Sequence, residues 1–276
     1  MNTVNTTNEQ GLPLQQKVKI MGILNMTPDS FSDGGQFIHI EHAIARAQTM
    51  IQEGADIIDI GGESTRPGAT QVSLSEELQR VIPIIHELRK YSDIPISIDT
   101  YKSEVARQAM LAGATMVNDI WGGKADSRIW EIVKEFRCPY VLTHNRENAS
   151  YSNLISDIVD DLRISVKQMI EAGVREDQII LDPGIGFAKN VEENLRLLHH
   201  LEQIVELGYP VLLGTSRKKF IRQTLNLPAH DVIEGTSATV AIGIYKGCSI
   251  IRVHDVSAMK RIVMMTEAIL HSEKSN

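Results

Sequence analysis

PISIDTYKSEVARQAMLAGATMVND, residues 95–119, contains one complete repeat unit of the fold that this sequence predicts. A short apolar run, PISIDT (95–100), is followed by SEVARQAMLAG, where apolar residues recur every third or fourth position, and then by a second run, TMVND (115–119). Gly113 stands where a helix C-cap is expected. Apolar strands joined by an amphipathic helix are typical of a parallel sheet covered by its own crossover helices.

The same alternation repeats along the whole chain. The predicted strands are 19–26, 56–61, 95–100, 115–119, 140–144, 179–184, 210–216 and 249–254. Eight such units in about 250 residues favour an α/β fold of the closed (β/α)8 TIM barrel type. An open doubly wound sheet is the alternative, but no strand-to-helix turn carries a GxGxxG motif, since Lys189 stands where the third glycine after Gly184 and Gly186 would fall.

Length and composition are those of a globular protein built as one domain. The 276 residues are 42% hydrophobic and 23% charged, and no composition break marks a linker. We therefore expect a single barrel domain over residues 18–272 and a frayed polar N-terminus over residues 1–17. No apolar run approaches the roughly 18 residues of a membrane span, and the first residues lack the features of a secretory signal. These observations predict a cytoplasmic protein without a membrane role.

Charge and cysteine content exclude other classes of function. Lys and Arg number 28 against 35 Asp and Glu, a net charge of −7, and no long basic run is present, so nucleic acid is not an expected partner. Cys138 and Cys248 are the only cysteines and both lie in apolar surroundings. They are too few for a disulfide framework or a thiolate metal site, and we expect them to be buried hydrophobes.

Polar side chains stand at the ends of nearly all the predicted strands. They are Asn25, Glu63 to Arg66, Asp99, Asn118 with Asp119, His144 with Asn145, Asp182, Ser216 to Lys218, and Arg252 with His254. A single Asp or Asn after a strand is more often a turn former or a helix cap. Asp99, Asn118, Arg252 and His254, however, belong to the strand runs themselves, and barrel chemistry gathers at the carboxyl ends of the strands. A polar-lined pocket is the better interpretation.

The polar residues divide into two sets by charge. Thr65, Arg66, Arg252 and His254 are cationic or hydrogen-bond donors, with Asn25 beside them as an oxygen ligand, which suits pyrophosphate together with Mg²⁺. Asp99, Asn118 and Asp182 are acceptors, which suit a flat heterocycle with adjacent N–H donors, and Lys218 could serve either set. The pocket is therefore expected to hold a nitrogen heterocycle that carries a diphosphate.

Several blocks of the sequence carry a family resemblance. NMTPDSFSDGG (25–35), DIIDIGGESTRPGA (56–69), SIDT (97–100), NDI (118–120), LDPGIGF (181–187), GTSRKKF (214–220) and IRVHDV (251–256) resemble bacterial dihydropteroate synthases in order and content. The resemblance implies a barrel fold and a homodimer. It also implies condensation of 6-hydroxymethyl-7,8-dihydropterin diphosphate with p-aminobenzoate, which releases pyrophosphate in folate synthesis and which sulfonamides should inhibit competitively.

The resemblance also assigns roles to individual residues. It implies Asn25 as the Mg²⁺ ligand, the diphosphate among Asn25, Thr65, Arg66, Arg252 and His254, and the pterin among Asp99, Asn118, Asp182, Lys218 and Phe187. Thr65, Pro67, Gly214, Ser216, Arg217 and Lys218 complete the expected substrate-binding set, and Arg252, His254 and Lys218 are the expected catalytic residues. Thr143 departs from the family, where methionine commonly precedes the histidine, and Lys219 stands where a serine often follows the SRK triplet.

The expected chemistry is stabilisation of a leaving group. Breaking the bond to the diphosphate builds negative charge there, so nearby cations stabilise the transition state, whereas an aromatic amine needs no dedicated base at pH 7. Arg252 and His254 lie two apart on one strand and therefore share a face. The alternative for Arg252 is an ion pair with a neighbouring carboxylate such as Asp255, and His144 could be structural or a substrate contact.

Two other functions stay open at this point. One is a pterin-binding barrel of the corrinoid methyltransferase type, which has no diphosphate to bind, so Arg66, Arg252 and His254 count against it. The other is a catalytically silent homologue that binds pterin as a sensor or assembly subunit.

Overall fold

The computed structural model describes residues 17–26, 36–64 and 71–272. Its strands are β1 (Lys19–Asn25), β2 (Ile57–Gly61), β3 (Ile96–Asp99), β4 (Met116–Asp119), β5 (Tyr140–Thr143), β6 (Ile179–Asp182), β7 (Leu212–Leu213) and β8 (Ile250–Val253). The helices among these residues are α1 (Gln36–Gln52), α2 (Leu74–Arg89), α3 (Ser103–Ala112), α4 (Ile129–Phe136), α5 (Leu154–Glu171), α6 (Val191–His199), α7 (Glu202–Val205), α8 (Lys219–Leu225), α9 (Ile233–Tyr245) and α10 (Val256–His271).

All eight predicted strands are present, and they form one parallel sheet in the order β6-β5-β4-β3-β2-β1-β8-β7. The two ends of this sheet meet at a single parallel bridge between Leu181 and Val211, with the Leu181 amide donating to the Pro210 carbonyl at 2.9 Å. We call this β6–β7 junction the seam. The predicted TIM barrel is confirmed, and the open doubly wound sheet is wrong.

The strand ends differ from the prediction most at β7. Residues 210–216 were expected to be extended, but only Leu212 and Leu213 form the strand. The observed strand is shorter than the predicted run because the chain beyond Leu213 leaves the sheet and turns toward α8 at the carboxyl end of the barrel. Gly113 does terminate α3, with φ at 116°, a conformation that a side chain disfavours.

The barrel contains two separate apolar cores. One is the interior of the barrel, where each strand except β3 contributes one buried side chain: Met21, Ile57, Met116, Val141, Ile180, Leu212 and Ile250. We call these seven residues the inner apolar layer. The other core lies between the outer face of the strands and the helices, and it includes Val253, Cys138 and Cys248. Both cysteines are free and buried, as expected.

The described helices do not include one that is long and apolar enough to cross a membrane. The cytoplasmic location, and the division into a tail over 1–17 and one domain over 18–272, stay predictions.

Candidate active site

A polar layer lies directly above the inner apolar layer at the carboxyl ends of the strands. Successive side chains on a strand point to opposite faces, so the residue two positions further on returns to the barrel interior. Ile57 is thus followed by Asp59, Met116 by Asn118, Val141 by Thr143, Ile180 by Asp182 and Ile250 by Arg252, and on β3 Asp99 is the register partner of Asn118. We call Asp59, Asp99, Asn118, Thr143, Asp182 and Arg252 the inner polar layer.

Arg252 is the centre of this layer. Its Nε donates to Asp59 Oδ2 at 2.5 Å and its Nη2 donates to Asp99 Oδ2 at 2.5 Å. Although burial alone would lower it, the two carboxylates hold the pKa of Arg252 above its usual range, so the guanidinium stays charged. The alternative of an ion pair is therefore realised, but not with Asp255, which instead accepts from Arg217.

Asp59 is a residue that the sequence analysis did not select. It lies fully inside the barrel and accepts from Arg252 and, at 3.2 Å, from Asn118 Nδ2. The available signal was its phase in the run DIIDIG, since Asp59 is two residues beyond the inward-facing Ile57. Asp59 stands in the middle of the predicted strand 56–61, whereas the predicted site residues are those at the ends of strands.

Two acceptors in this layer lack a hydrogen-bond partner within the part of the chain that the structure describes. These atoms are Asp59 Oδ1 and Asp99 Oδ1, and the hydroxyl of Ser97 one pleat below is in the same condition. Burial raises the pKa of Asp99, and the Arg252 guanidinium opposes this rise. A buried acceptor without a donor costs free energy, so a ligand that supplies N–H groups would be favoured here.

Asp182 and Lys218 form the other side of the barrel mouth, which is the opening at the carboxyl ends of the strands. Asp182 Oδ1 accepts from the Gly184 amide at 2.7 Å, while its Oδ2 faces Gly214. Burial raises the pKa of Asp182, and the nearby charge of Lys218 opposes this rise. Burial also disfavours the charged form of Lys218 and lowers its pKa to about 8. The Lys218 ammonium donates to the Ile185 carbonyl and lies 4.7 Å from the centre of the Phe187 ring. Carboxylate, ammonium and aromatic ring thus converge on one space.

His254, Ser216 and Gly214 border the same space. His254 Nδ1 lies 3.0 Å from Ser216 Oγ, while Val253 between His254 and Arg252 packs outward, as the alternate spacing predicts. A Cβ at Gly214 would lie 3.8 Å from Arg252 Cβ and 4.0 Å from Asp182 Oδ2. A side chain at position 214 would therefore project between these two residues and narrow the mouth.

Asn25 ends β1 at the mouth, where its Oδ1 lies near Gly61 and Asp99. Among the described residues no group of three or more His, Cys, Asp or Glu side chains could hold a metal ion. A single amide oxygen still fits Mg²⁺, because this ion keeps several waters and commonly takes its other ligands from substrate phosphates.

Other predicted residues lie elsewhere or have structural partners. Thr65, Arg66 and Pro67, and the loop residues 27–35, lie outside the described residues. Arg217 is partly exposed and turned to Asp255. Asp119 accepts from the Trp121 and Gly123 amides and from the Tyr140 hydroxyl, so it is a turn residue.

His144 is buried, and both of its ring nitrogens have protein partners. Nε2 lies 3.0 Å from Asp161 Oδ2, and Nδ1 lies 3.0 Å from Lys189 Nζ. Burial lowers the pKa of His144 to about 4, so the ring is neutral at pH 7. Of the two interpretations left open for this histidine, the contacts favour the structural one.

A groove of about 440 Å³ on the outside of the barrel is bordered by Arg163, Ile170, Leu207 and Tyr209. It lies far from the carboxyl ends of the strands, and its charged lining residues Arg163, Lys167 and Glu171 are exposed, whereas the aspartates of the inner polar layer are buried. We therefore take the mouth as the candidate site because of its buried charged groups, although the outer groove has a measurable volume.

The chain is similar to known proteins over most of its length. Residues 21–254 match the family model described as pterin binding enzyme. The chain is 52% identical to the dihydropteroate synthase of Bacillus subtilis (strain 168) over 265 residues, which cover 96% of this chain and 93% of that protein.

Solved structures agree. Dihydropteroate synthase from Clostridium difficile, crystallised in the presence of pteroic acid, superposes with a TM-score of 0.90 at 46% identity and covers 92% of this chain and 97% of its own. The Xanthomonas albilineans synthase with 4-aminobenzoic acid gives a TM-score of 0.88 at 39% identity, covering 92% and 93%. The Yersinia pestis synthase in a sulfonamide drug complex gives 0.87 at 38% identity, covering 96% and 98%. The chain therefore belongs to the dihydropteroate synthase family, pterin-binding transferases of folate synthesis.

Proposed function

We propose that the barrel mouth condenses 6-hydroxymethyl-7,8-dihydropterin diphosphate with p-aminobenzoate to give 7,8-dihydropteroate and pyrophosphate. The observation that carries this proposal is the pairing of buried acceptors with cations in one mouth. Asp99 offers a buried oxygen that has no donor among the described residues, Asp182 lies across from it, and Arg252 stands between them. A heterocycle with several N–H groups and an anionic leaving group satisfies both halves of this arrangement.

The pterin is assigned to the acceptor side of the mouth. Asp182 and Asp99 accept from its amino and ring N–H groups, and Asn118 completes the set with its amide. Carboxylates bind adjacent N–H donors with two parallel hydrogen bonds, as they bind arginine. The ring lies against Phe187 and the aliphatic part of Lys218, which already lie together.

The diphosphate is assigned to the side of the mouth where Arg252, His254 and Asn25 lie. The bond between the pterin methylene carbon and the diphosphate oxygen breaks, and its electron pair leaves with pyrophosphate. The amine nitrogen of p-aminobenzoate then forms the new bond to carbon and loses a proton to solvent. Arg252 and His254 stabilise the developing anion, a role that preorganised donors perform best in a partly buried site. Mg²⁺ held by Asn25 would neutralise further charge on the leaving group, and Thr65 and Arg66 are the further residues proposed to bind the diphosphate.

The p-aminobenzoate is assigned to the loop after β7, where Ser216 and Arg217 lie, together with Thr65 and Pro67. The Arg217 guanidinium pairs with Asp255, with 2.5 Å between Nη2 and Oδ1. A substrate carboxylate would compete with Asp255 for this exposed cation at small cost, because exposed ion pairs are weak. Sulfonamides that imitate p-aminobenzoate should compete at this position.

A pyrophosphate-release assay with both substrates tests the proposal. Release that requires both substrates is the expected result, with dihydropteroate formed in equal amount. Pterin binding without release would establish the silent homologue, and methyl transfer from a methylated pterin would establish the methyltransferase type.

We also infer that the chain forms a homodimer through α9 and α10. These adjacent helices expose Ile242, Tyr245, Met264, Met265 and Ile269. Clusters of exposed large apolar side chains are uncommon on monomers and mark interaction surfaces. A second copy is the inferred partner because α9 is apolar on nearly all sides, as expected of a helix covered on both sides. Light scattering should show a dimer that Met265→Lys weakens and Leu111→Lys on α3 leaves intact.

A further inference from the structure

The loop 183–190 between β6 and α6 brings its backbone close to its neighbours at two glycines. Gly184 has φ at +70°, and a Cβ there would lie 1.9 Å from the His144 carbonyl oxygen. Gly186 has φ at +86° and packs against the side chain of Lys218. The loop therefore lies so close to β5 and to Lys218 that only glycine fits at these two positions. Its backbone position sets where Asp182, Lys218 and Phe187 can be.

Side chains satisfy the carbonyl groups of this loop. Lys218 binds the carbonyl of Ile185, the Tyr151 hydroxyl donates to that of Ala188 at 3.0 Å, and Asn194 Nδ2 donates to that of Lys189 at 3.2 Å. One further side chain donates to the carbonyls of Gly184 and Phe187, and the Gly184 carbonyl also accepts from the Phe187 amide at 3.0 Å. Buried carbonyls need donors, so the identity of their donor decides how firmly the loop is fixed.

Lys189 is that donor. Its Nζ lies 3.1 Å from the Gly184 carbonyl oxygen, 3.0 Å from that of Phe187 and 3.0 Å from His144 Nδ1. An ammonium has three protons, and these three acceptors use all of them. Burial lowers the pKa of Lys189 to about 7, so this is not an ordinary solvated lysine. A lysine in a glycine-containing loop would otherwise be expected to extend into water.

The orientation of Lys189 is set from a distance. Because His144 Nδ1 accepts from the ammonium, its ring proton lies on Nε2, which donates to Asp161 Oδ2 at 3.0 Å. Asp161 on α5 also accepts from Arg146 Nε at 2.6 Å. Lys189, His144 and Asp161 thus form a line of hydrogen bonds from the mouth loop to the outer helix layer.

We propose that Lys189 is a positioning residue that sets pterin affinity by holding the 183–190 loop, and that His144 and Asp161 orient its ammonium. It touches no substrate in this scheme. Gly184, which Lys189 holds through its carbonyl, donates its amide to Asp182 Oδ1, and Phe187 carries the ring beside Lys218. Releasing the loop would disturb all three pterin contacts while leaving the diphosphate and p-aminobenzoate sides in place. The inference rests on the proposed function.

Lys189→Met tests the proposal, because methionine keeps the length and apolar stem but has no donor. We expect the KM for dihydropterin diphosphate to rise about tenfold or more, from the loss of charge-assisted hydrogen bonds to the loop. The KM for p-aminobenzoate should change less than about threefold, since among the described residues the Lys189 ammonium donates to Gly184, Phe187 and His144 and not to the loop after β7. Lys246→Met is the matched control, because Lys246 also donates to a carbonyl, that of His199, and lies on the outside of the barrel.

His144 variants test the relay. Asparagine places an acceptor close to the position of Nδ1, so His144→Asn should keep a pterin KM near the normal value. His144→Leu removes this acceptor and should reproduce the Lys189→Met effect. Should Lys189→Met fail to fold, Lys189→Gln keeps an uncharged NH₂ group with two N–H donors and is expected to show an intermediate pterin KM.

The outcomes separate the two proposals. An unchanged pterin KM in Lys189→Met or Lys189→Gln, or equal rises in both KM values, would overturn the positioning role. Wild-type protein that releases no pyrophosphate with both substrates would instead overturn the proposed function. In that case calorimetric titration with dihydropterin diphosphate still decides the role of Lys189, since affinity must fall in Lys189→Met and not in Lys246→Met.

Discussion

The inner apolar layer and the inner polar layer lie on the same strands and the same face, about 7 Å apart, which is two residues along a strand. Ile180 and Asp182 illustrate the contrast, since the first belongs to the cluster of seven buried apolar side chains and the second has its Oδ2 facing Gly214. The lower layer fills space and needs only shape, whereas the upper layer places charges. Residues of the inner apolar layer therefore contribute to the free energy of unfolding, and residues two positions further along the same strands contribute to the proposed chemistry. Substitutions in the two layers should have separable effects on stability and on activity.

Arg252→Ala should have the largest effect, and it should lower both the stability of the fold and the rate of pyrophosphate release. Its removal leaves Asp59 and Asp99 as buried carboxylates without their cation, which costs about 3–5 kcal/mol of unfolding free energy. Single-turnover pyrophosphate release should slow about a hundredfold or more. Both are measurable, by rapid quench and by urea unfolding.

A second substitution distinguishes the two consequences of losing Arg252. Asp59→Asn in the Arg252→Ala background removes one of the uncompensated charges, so stability should partly recover while release stays slow. Recovery of release together with stability would show that Arg252 serves folding alone.

His144 should affect stability in acid without setting pterin affinity by direct contact. Burial lowers the pKa of His144 to about 4 from 6.5, so between these pH values the unfolded chain binds more protons than the folded chain. The stabilising contribution is fully present above pH 6.5 and is lost as pH falls toward 4, by up to about 3 kcal/mol. Urea unfolding at several pH values should show a shallower dependence in His144→Asn, and identical slopes would contradict the prediction.

Asp182→Ala should lower affinity for dihydropterin diphosphate at least about tenfold, because hydrogen bonds to a charged group contribute about 1.5–3 kcal/mol each. The change removes an acceptor from the inner polar layer and leaves the inner apolar layer intact. Isothermal calorimetry measures the affinity, with Asp160→Ala on the exposed side of α5 as the control. Unchanged binding would remove Asp182 from the pterin site.

Ile180→Val should have the smallest effect and should sharpen the comparison. Losing one buried methylene group costs about 0.5–1.5 kcal/mol of unfolding free energy. Neither KM should change, since the position faces the other six residues of the inner apolar layer. A change in pterin KM comparable to that of Asp182→Ala would mean that the two layers are not independent.

The sequence predicted the barrel because its period is unambiguous. Runs such as IILD are apolar and short, the helices between them have regular apolar spacing, and eight repeats leave few alternatives. Strand-end positions likewise predicted Asp99, Asn118, Asp182 and Arg252, which the barrel brings to one level. Their roles in binding stay predictions.

What sequence reasoning missed depends on contacts between distant residues. Asp59 was passed over because nothing local pairs it with Arg252, which is 193 positions away. Lys189 was noted only as a residue that interrupts a glycine motif, because a loop lysine carries no local sign of burial. Its partner His144 lies 45 positions earlier, and only the packing of β5 beside β6 brings them together.

The seam gives the barrel a place to open. Seven strand pairs are joined by regular ladders or, at β7–β8, by a two-residue ladder, but β6 and β7 share one bridge, and Pro210 has no amide proton to add to it. Breathing of the cylinder should therefore begin between Leu181 and Val211, and amide deuterium uptake there should be fast relative to β1 and β2. Asp182 ends β6 and Gly214 directly follows β7, both just beyond the seam. A bound pterin that contacts both would hold these two strands together and slow amide hydrogen exchange at Leu181 and Val211.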